Sequence, residues 1–481
     1  MNLKMVLYTT ARIMQTEALF MLLPLAVSFI YGEYDSAQSF IITILTAFLL
    51  GVIISRGART KNRVIYAKEG FAIVALAWLM MSFFGALPFV ISRDIPSYVD
   101  AFFETVSGFT TTGASILDDV EAVSKGMLFW RSFTHWIGGM GVLVFVMAVI
   151  PNISDRSIHI MRAEMPGPVI GKLMPRAKDT AKILYLIYIV LTAAEILFLL
   201  AGGMSLFDSL IHSFGTAGTG GFGIKADSVS SYSPYIQWVI TIFMIIFGVN
   251  FNLFYLILIH RARTAFKSSE FWWYIGIALS ATAVIAFNIR GMYSNFSDTV
   301  RHSAFQVASI LTTTGFATAN FDTWPELSKT VLLLLMFIGG CAGSTAGGLK
   351  VSRVVLLFRT VKREIKHLLH PRSVSAVHFE GKPADIKTVM SVCVYFVFYM
   401  LCFFAILLLL GFEPFSFETN FSAAASCFNN VGPGFDGVGP MVSYSGYSPF
   451  SKIVLSAAML LGRLEIYPLI LAFVPSTWNK R

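Results

Sequence analysis

Long apolar stretches alternate with short polar segments along almost the whole chain, at roughly 13–30, 37–55, 70–92, 127–150, 181–201, 235–259, 271–292, 328–358, 386–411 and 450–474. A bilayer hydrocarbon core of roughly 30 Å takes about 20 apolar residues of helix, and each stretch is of that order or longer. The pattern therefore predicts ten transmembrane helices. The first follows Lys4 and Arg12, but it is long and lacks a small-residue cleavage site. It reads as a retained helix rather than a signal peptide.

The polar segments come in two kinds. One kind is basic: Arg56, Arg59, Lys61, Arg63 and Lys68; Arg156, Arg162, Lys172, Arg176, Lys178 and Lys182; Arg261, Arg263 and Lys267; and Arg353, Arg359, Lys362, Arg363, Lys366, Arg372, Lys382 and Lys387. The positive-inside rule places these in the cytoplasm, with both chain termini. The alternate loops are longer and acidic, with Asp94, Asp100, Glu104, Asp118, Asp119 and Glu121 in the first and Glu413, Glu418 and Asp436 in the last. They are expected outside, where a negative rim raises the local cation concentration.

Each of the four outer loops holds a short amphipathic stretch and then a glycine-containing sequence: Thr110-Thr111-Thr112-Gly113, Gly218-Thr219-Gly220-Gly221, Thr312-Thr313-Thr314-Gly315 and Asn429-Asn430-Val431-Gly432. Aligned on the last glycine, every copy has a small residue six positions earlier, namely Ser107, Gly215, Ser309 and Ser426. Stepping back further reaches Asp100, Asp208, His302 and Thr419, of which the two Asp suit a helix start. The copies recur about every hundred residues, which makes this a repeat. Bare backbone is tolerated at membrane depth only where it lines water or is buried in protein. A ring of four such segments meets that condition, and inward carbonyls can replace the hydration shell of a monovalent cation. The candidate potassium-binding residues are Thr111, Thr112, Gly113, Thr219, Gly220, Gly221, Thr313, Thr314, Gly315, Asn430, Val431 and Gly432.

The fold class expected is an all-α polytopic membrane protein. Two transmembrane helices (1–68) precede four helix, pore-loop, helix repeats around one pore, at 69–152, 180–268, 269–370 and 384–481. The third repeat has a broken second helix, because Gly339, Gly340, Gly343, Gly347 and Gly348 crowd one span and each glycine costs about 1 kcal/mol against alanine. That break falls on the cytoplasmic side of the third filter segment. Its residues, with Ser344, Thr345 and Lys350, are candidate gate residues; the alternative is a close helix crossing without gating. Leu349 separates Gly348 from Lys350, which excludes a nucleotide P-loop. Arg463 lies inside the final apolar span, where a centred arginine costs roughly 2.5–3.5 kcal/mol. It is expected to face the pore as part of the gate, or else to pair structurally with Glu465. Arg131 and Lys452 are expected to snorkel from span ends.

Composition agrees. The 481 residues are 56% hydrophobic and 13% charged, with mean hydropathy +0.71, more apolar than a water-soluble surface tolerates. The net charge of +9 resides in loops between spans, so nucleic acid is not an expected partner while membrane lipid is. Cys341, Cys393, Cys402 and Cys427 have no metal-site spacing and read as packing residues. His135 and His212 read the same way, since no two-histidine, one-carboxylate motif includes them. No nucleophile elbow or triad is present, which argues against an enzyme and an enzymatic cofactor. No span carries arginine at every third position as a voltage sensor would.

The chain resembles the Trk/Ktr/HKT superfamily of potassium transporters, and within it the bacterial TrkH branch. The resemblance rests on Phe129-Trp130-Arg131-Ser132 leading into Trp136-Ile137-Gly138-Gly139-Met140-Gly141, on Gly339 to Lys350, on Asn430-Val431-Gly432-Pro433-Gly434 and on Gly462-Arg463-Leu464-Glu465. It implies uptake of potassium across the cell inner membrane, a homodimer with one pore per subunit, and a cytoplasmic ring of nucleotide-binding regulatory subunits of the TrkA type. Within that superfamily glycine at position 113 accompanies potassium selectivity and serine accompanies sodium. Coupling to sodium or protons is left open.

Overall fold

The computed structural model describes residues 1–60, 65–141, 177–373 and 375–478. The end of the fourth predicted span and Lys61, Arg63, Arg156, Arg162, Lys172 and Arg176 lie outside the described residues. Six helical segments among those described are long and apolar enough to cross a membrane: Leu3–Ile30, Tyr34–Gly57, Lys68–Ser92, Ala181–Ala201, Ser269–Asn288 and Ile386–Leu410. The first begins ten residues before the apolar run and breaks at Met21, between Leu3–Phe20 and Leu22–Ile30. The outer faces carry exposed Leu197, Leu279, Phe287 and Leu408, an apolar surface suited to lipid and not to water.

Four short helices, Tyr98–Phe109, Leu206–Gly218, Phe296–Leu311 and Phe417–Asn429, stand in the four glycine-containing loops. These are the pore helices. Asp100 and Asp208, expected to open two of them, stand instead at the third helical position. Ser97, Ser205 and Ser416 are the caps, each accepting from the backbone N–H of Asp100, Asp208 or Thr419 three residues on. A Ser-x-x-Asp pattern signals such an N-terminus; in the third copy the N-cap is Asn295 without a side-chain bond.

The packing closes into a ring. Each pore helix contacts the long helices on both sides of it in its own repeat and also one helix of the preceding repeat: Tyr98–Phe109 touches Pro449–Arg463, Leu206–Gly218 touches Lys125–Gly139, Phe296–Leu311 touches Pro234–Phe247, and Phe417–Asn429 touches Glu326–Ile338. Aromatic side chains fill the junctions, as where Trp130 meets Phe40 and Phe109 edge-on.

Among the described residues, three of the inner helices are broken where one break was expected. Pro234–Phe247 and Phe251–Leu258 meet at 90°, and Pro449–Arg463 and Tyr467–Phe473 at 120°. At the first, Asn250 caps a new helix through Asn252 N–H at 3.0 Å, and the freed Gly248 carbonyl accepts from Cys341 N–H. At the second, Glu465 and Ile466 both take positive φ. Neither site holds a glycine cluster, so hydropathy runs straight through them. Glu326–Ile338 ends at Gly339 and the next helix, Val351–Leu369, starts after Lys350, which is the break expected. A two-residue hairpin, His378–Phe379 with Lys382–Pro383, is the sole sheet among the described residues.

Candidate functional site

All four pore helices end identically. The residues after them, Thr111, Thr219, Thr313 and Asn430, have φ between 55° and 56°. Their N–H groups bond back to the carbonyls of Gly108, Thr216, Ile310 and Cys427, and the next N–H, of Thr112, Gly220, Thr314 and Val431, bonds to Ser107, Gly215, Ser309 and Ser426. This pair of bonds is the Schellman C-cap, and it gives the small residue six positions before each glycine its place. A β-branched residue at positive φ is a genuine outlier. Three threonines hold it here at about 1 kcal/mol or more each, strain that persists at functional positions.

Two residues on, Gly113, Gly221, Gly315 and Gly432 again have positive φ, from 71° to 105°. A Cβ at Gly113 would run into the carbonyl of Gly220, at Gly221 into that of Thr314, at Gly315 into that of Val431, and at Gly432 it would lie 2.7 Å from that of Thr112. The four segments thus abut in order and close on themselves. Asn430 Nδ2 bonds Thr112 Oγ1 at 2.9 Å across the fourth and first copies. An outer vestibule of about 570 Å³ reaches all four glycines. At its rim the Ser443 and Ser445 hydroxyls donate to Asp118, and in that order they hold its carboxyl below the usual range.

Polar side chains brace the ring from behind. Arg131 Nε donates to Glu104 at 2.5 Å, with both side chains buried, and its guanidinium lies 3.6 Å over the ring of Phe222 and reaches the Gly223 carbonyl at 3.0 Å. Glu104 also accepts from Ile116 N–H. One ion pair therefore joins the first pore helix, its exit strand and the exit of the second filter segment. Snorkelling was the wrong expectation for Arg131, and for Lys452 as well, which pairs with Asp100 at 2.6 Å. Their acidic partners stand one repeat element away, which spacing along the chain does not reveal. His135 is buried, stacked at 4.1 Å on Phe222, and His212 on Phe316 at 5.6 Å; both are packing residues. Arg131→Met is expected to lower the melting temperature strongly by stranding Glu104, a loss of about 3–5 kcal/mol; Glu104→Gln should lose less. Scanning fluorimetry in detergent checks this.

Under the ring lies the segment from Gly339 to Lys350. Gly347 N–H donates to Thr313 Oγ1 at 2.7 Å, and a Cβ at Gly347 would meet the Asn429 carbonyl. Phe251 N–H donates to Gly343 and Thr345 Oγ1 to the Phe247 carbonyl, so the segment fills the bend of the second repeat. Gly339 and Gly348 pack backbone to backbone. Lys350 Nζ bonds the Ala346 carbonyl. Below is a cavity of about 50 Å³ bordered by Gly343, Ser344, Gly347, Lys350, Arg463 and Glu465. The alternative reading, a pairing of Arg463 with Glu465, is not what the structure shows. Arg463 donates to the carbonyls of Thr345, Gly138 and Gly139 at 2.6–2.7 Å, while Glu465 pairs with Arg353. Arg353, read as a cytoplasmic loop residue, is buried in the first turn of its helix. Glu270, which no sequence pattern singles out, accepts through Oε1 from Ala342 N–H at 2.7 Å and Ser352 N–H at 3.2 Å.

A closed ring of four backbone segments, with a vestibule on one side and a plugged cavity on the other, defines a membrane transport protein built around a central pore. The chain belongs to the TrkH family, described as cation transport proteins, whose profile matches residues 36–480. It is 36% identical over 469 residues to the Trk system potassium uptake protein TrkH of Escherichia coli strain K12, covering 96% of each chain, and 32% identical to that of Halomonas elongata over the full length of both. The crystal structure of the potassium transporter TrkH from Vibrio parahaemolyticus superposes with a TM-score of 0.89 at 32% identity, covering all of both chains. Membership in the Trk superfamily, the helical fold around pore loops and a transporter rather than an enzyme are thereby established.

Proposed function

We propose that the chain takes up potassium across the cell inner membrane through the ring formed by Thr111–Gly113, Thr219–Gly221, Thr313–Gly315 and Asn430–Gly432. The observation that carries this is the fourfold recurrence of one strained backbone conformation, each copy closed against the next. Positive φ at alternate residues turns successive carbonyls to one side, where they can replace water around a dehydrated ion. The pore helices turn their partial negative ends to the same place. Relatives named as potassium uptake proteins support potassium as the ion. The repeat boundaries, the homodimer, the cytoplasmic termini and a regulatory ring of the TrkA type belong to this reading. Flux of potassium, rubidium, sodium and a neutral solute into proteoliposomes tests it: potassium and rubidium should pass and the neutral solute should not.

In this reading the Gly339–Lys350 segment, latched by Arg463, is the gate. Its backbone bonds to Thr313 of the third filter segment and to the bend at Gly248 hold it across the path. Removing four residues between Gly343 and Gly348 is expected to raise basal rubidium flux about tenfold, since each charge-assisted contact that holds the closed position contributes about 1.5–3 kcal/mol. A folded, shortened chain with unchanged basal flux would remove the segment from the gate.

A further inference from the structure

The hairpin at His378–Pro383 turns on Glu380 and Gly381, both at positive φ. From that turn the Glu380 carboxylate accepts from Ser268 Oγ at 3.1 Å, Ser269 N–H at 3.2 Å and Glu270 N–H at 3.0 Å. It thereby fixes the start of the Ser269–Asn288 helix. The next carboxylate along, Glu270, grips Ala342 N–H and Ser352 N–H, one inside the segment under the filter and one just past its end. Arg359, on the helix that leaves that segment, closes the circuit by donating to the His378 carbonyl at 2.5 Å and to Ser269 Oγ at 2.9 Å. Apolar packing follows the same route: Val377 and Phe379 of the hairpin share one core cluster with Cys341, Val351 and Val355.

We propose that Glu380 and Glu270 act in series as positioning residues, so that displacement of the hairpin shifts the segment under the filter. The link rests on the reading of that segment as the gate. A carboxylate accepting several backbone N–H groups is strongly held, and buried N–H groups left without an acceptor cost more than the bond contributes. Release of Glu380 frees the helix start that carries Glu270. Release of Glu270 leaves Ala342 and Ser352 N–H unpaired, and the segment must move to satisfy them. The two carboxylates make a contiguous hydrogen-bonded path from the hairpin to the segment, and a double-variant cycle is the measure of whether it carries coupling.

Cys341 is buried within the segment and reports its position independently of flux. In the full-length protein with Cys393, Cys402 and Cys427 replaced by alanine, maleimide labelling of Cys341 and rubidium flux are measured in proteoliposomes. Glu380→Ala is expected to raise the labelling rate about tenfold, the change expected when one charge-assisted hydrogen bond is lost. Glu270→Ala should raise it at least as much, and the double variant should match Glu270→Ala alone. Glu380→Gln, which keeps one acceptor, should fall between, and it is the variant to read if Glu380→Ala does not fold. Unchanged labelling in the Glu380 variants, or a double variant that multiplies the two single effects, overturns the series link. A simple helix cap would lower the melting temperature and leave Cys341 protected, which also overturns it. Faster labelling with unchanged flux upholds the link and instead removes the gate role from the segment.

Discussion

Serine at position 113 is expected to cut the preference for potassium over sodium by tenfold or more. Gly113 holds φ at +82°, which a side chain opposes by about 1–3 kcal/mol. More important is the direction in which a Cβ would point, straight at the Gly220 carbonyl, with the Thr314 carbonyl 3.7 Å away. The second filter segment must retreat, and it carries its carbonyl with it. Selectivity between two ions of equal charge is a difference of two large solvation terms, so a shift that changes that difference by 1.4 kcal/mol already changes the ratio tenfold. Reversal potentials under paired potassium and sodium gradients give the ratio. Gly113→Ala is the companion variant: equal loss in both assigns the effect to the displaced carbonyl, and loss in serine alone assigns it to the hydroxyl. An unaltered ratio in a folded serine variant would take the first repeat out of the filter.

The pore is legible in the sequence because one backbone solution is written four times. The Schellman cap needs a residue of positive φ after the helix, and the residues whose carbonyls it uses, Ser107, Gly215, Ser309 and Ser426, keep one spacing to glycines that alone would be weak signals. The fourth copy stays readable despite Val431 and Pro433, since Asn430 tolerates the left-handed conformation better than threonine does. The break at Gly339 is legible for the same reason, as composition there is incompatible with a helix. The other two bends are not. Gly248-Val249-Asn250 and Leu464-Glu465-Ile466 interrupt spans whose hydropathy is continuous, and what stabilises each bend is a partner from another repeat: the Gly339–Lys350 segment at the first, and Arg353 on Glu465 at the second. The buried ion pairs were hidden likewise, because Arg131 meets Glu104 through packing of the pore helix on the next helix of its own repeat, and Lys452 meets Asp100 through ring closure of the fourth repeat on the first.

Arg463→Gln is expected to raise single-pore conductance several-fold while leaving the potassium-to-sodium ratio nearly intact. The guanidinium lies beside the small cavity under the ring and clamps the Thr345 carbonyl of the plugging segment to the Gly138 and Gly139 carbonyls that end the second helix of the first repeat. It therefore impedes an ion twice. As a fixed charge about 6 Å from a passing cation it raises the barrier by roughly 3 kcal/mol at an effective dielectric near 20. As a latch it joins two parts of the wall that must separate for the path to open. Glutamine removes the charge and is too short to bridge all three carbonyls. Selectivity should be unaffected, since in the proposed reading the carbonyls of the ring above set it. A structural role would be visible in stability, and Arg353 supplies the comparison: it is the arginine that pairs with Glu465, so Arg353→Met strands a buried carboxylate and should cost about 3–5 kcal/mol. Arg463 bonds neutral carbonyls, those of Thr345, Gly138 and Gly139, and Gly139 borders the small cavity, so on the gate reading the melting temperature of Arg463→Gln should fall less than that of Arg353→Met. Current recording and thermal melting on both variants separate the two roles. A large melting loss at Arg463 with no gain in conductance would make it a structural clamp and leave the gate to the Gly339–Lys350 segment alone.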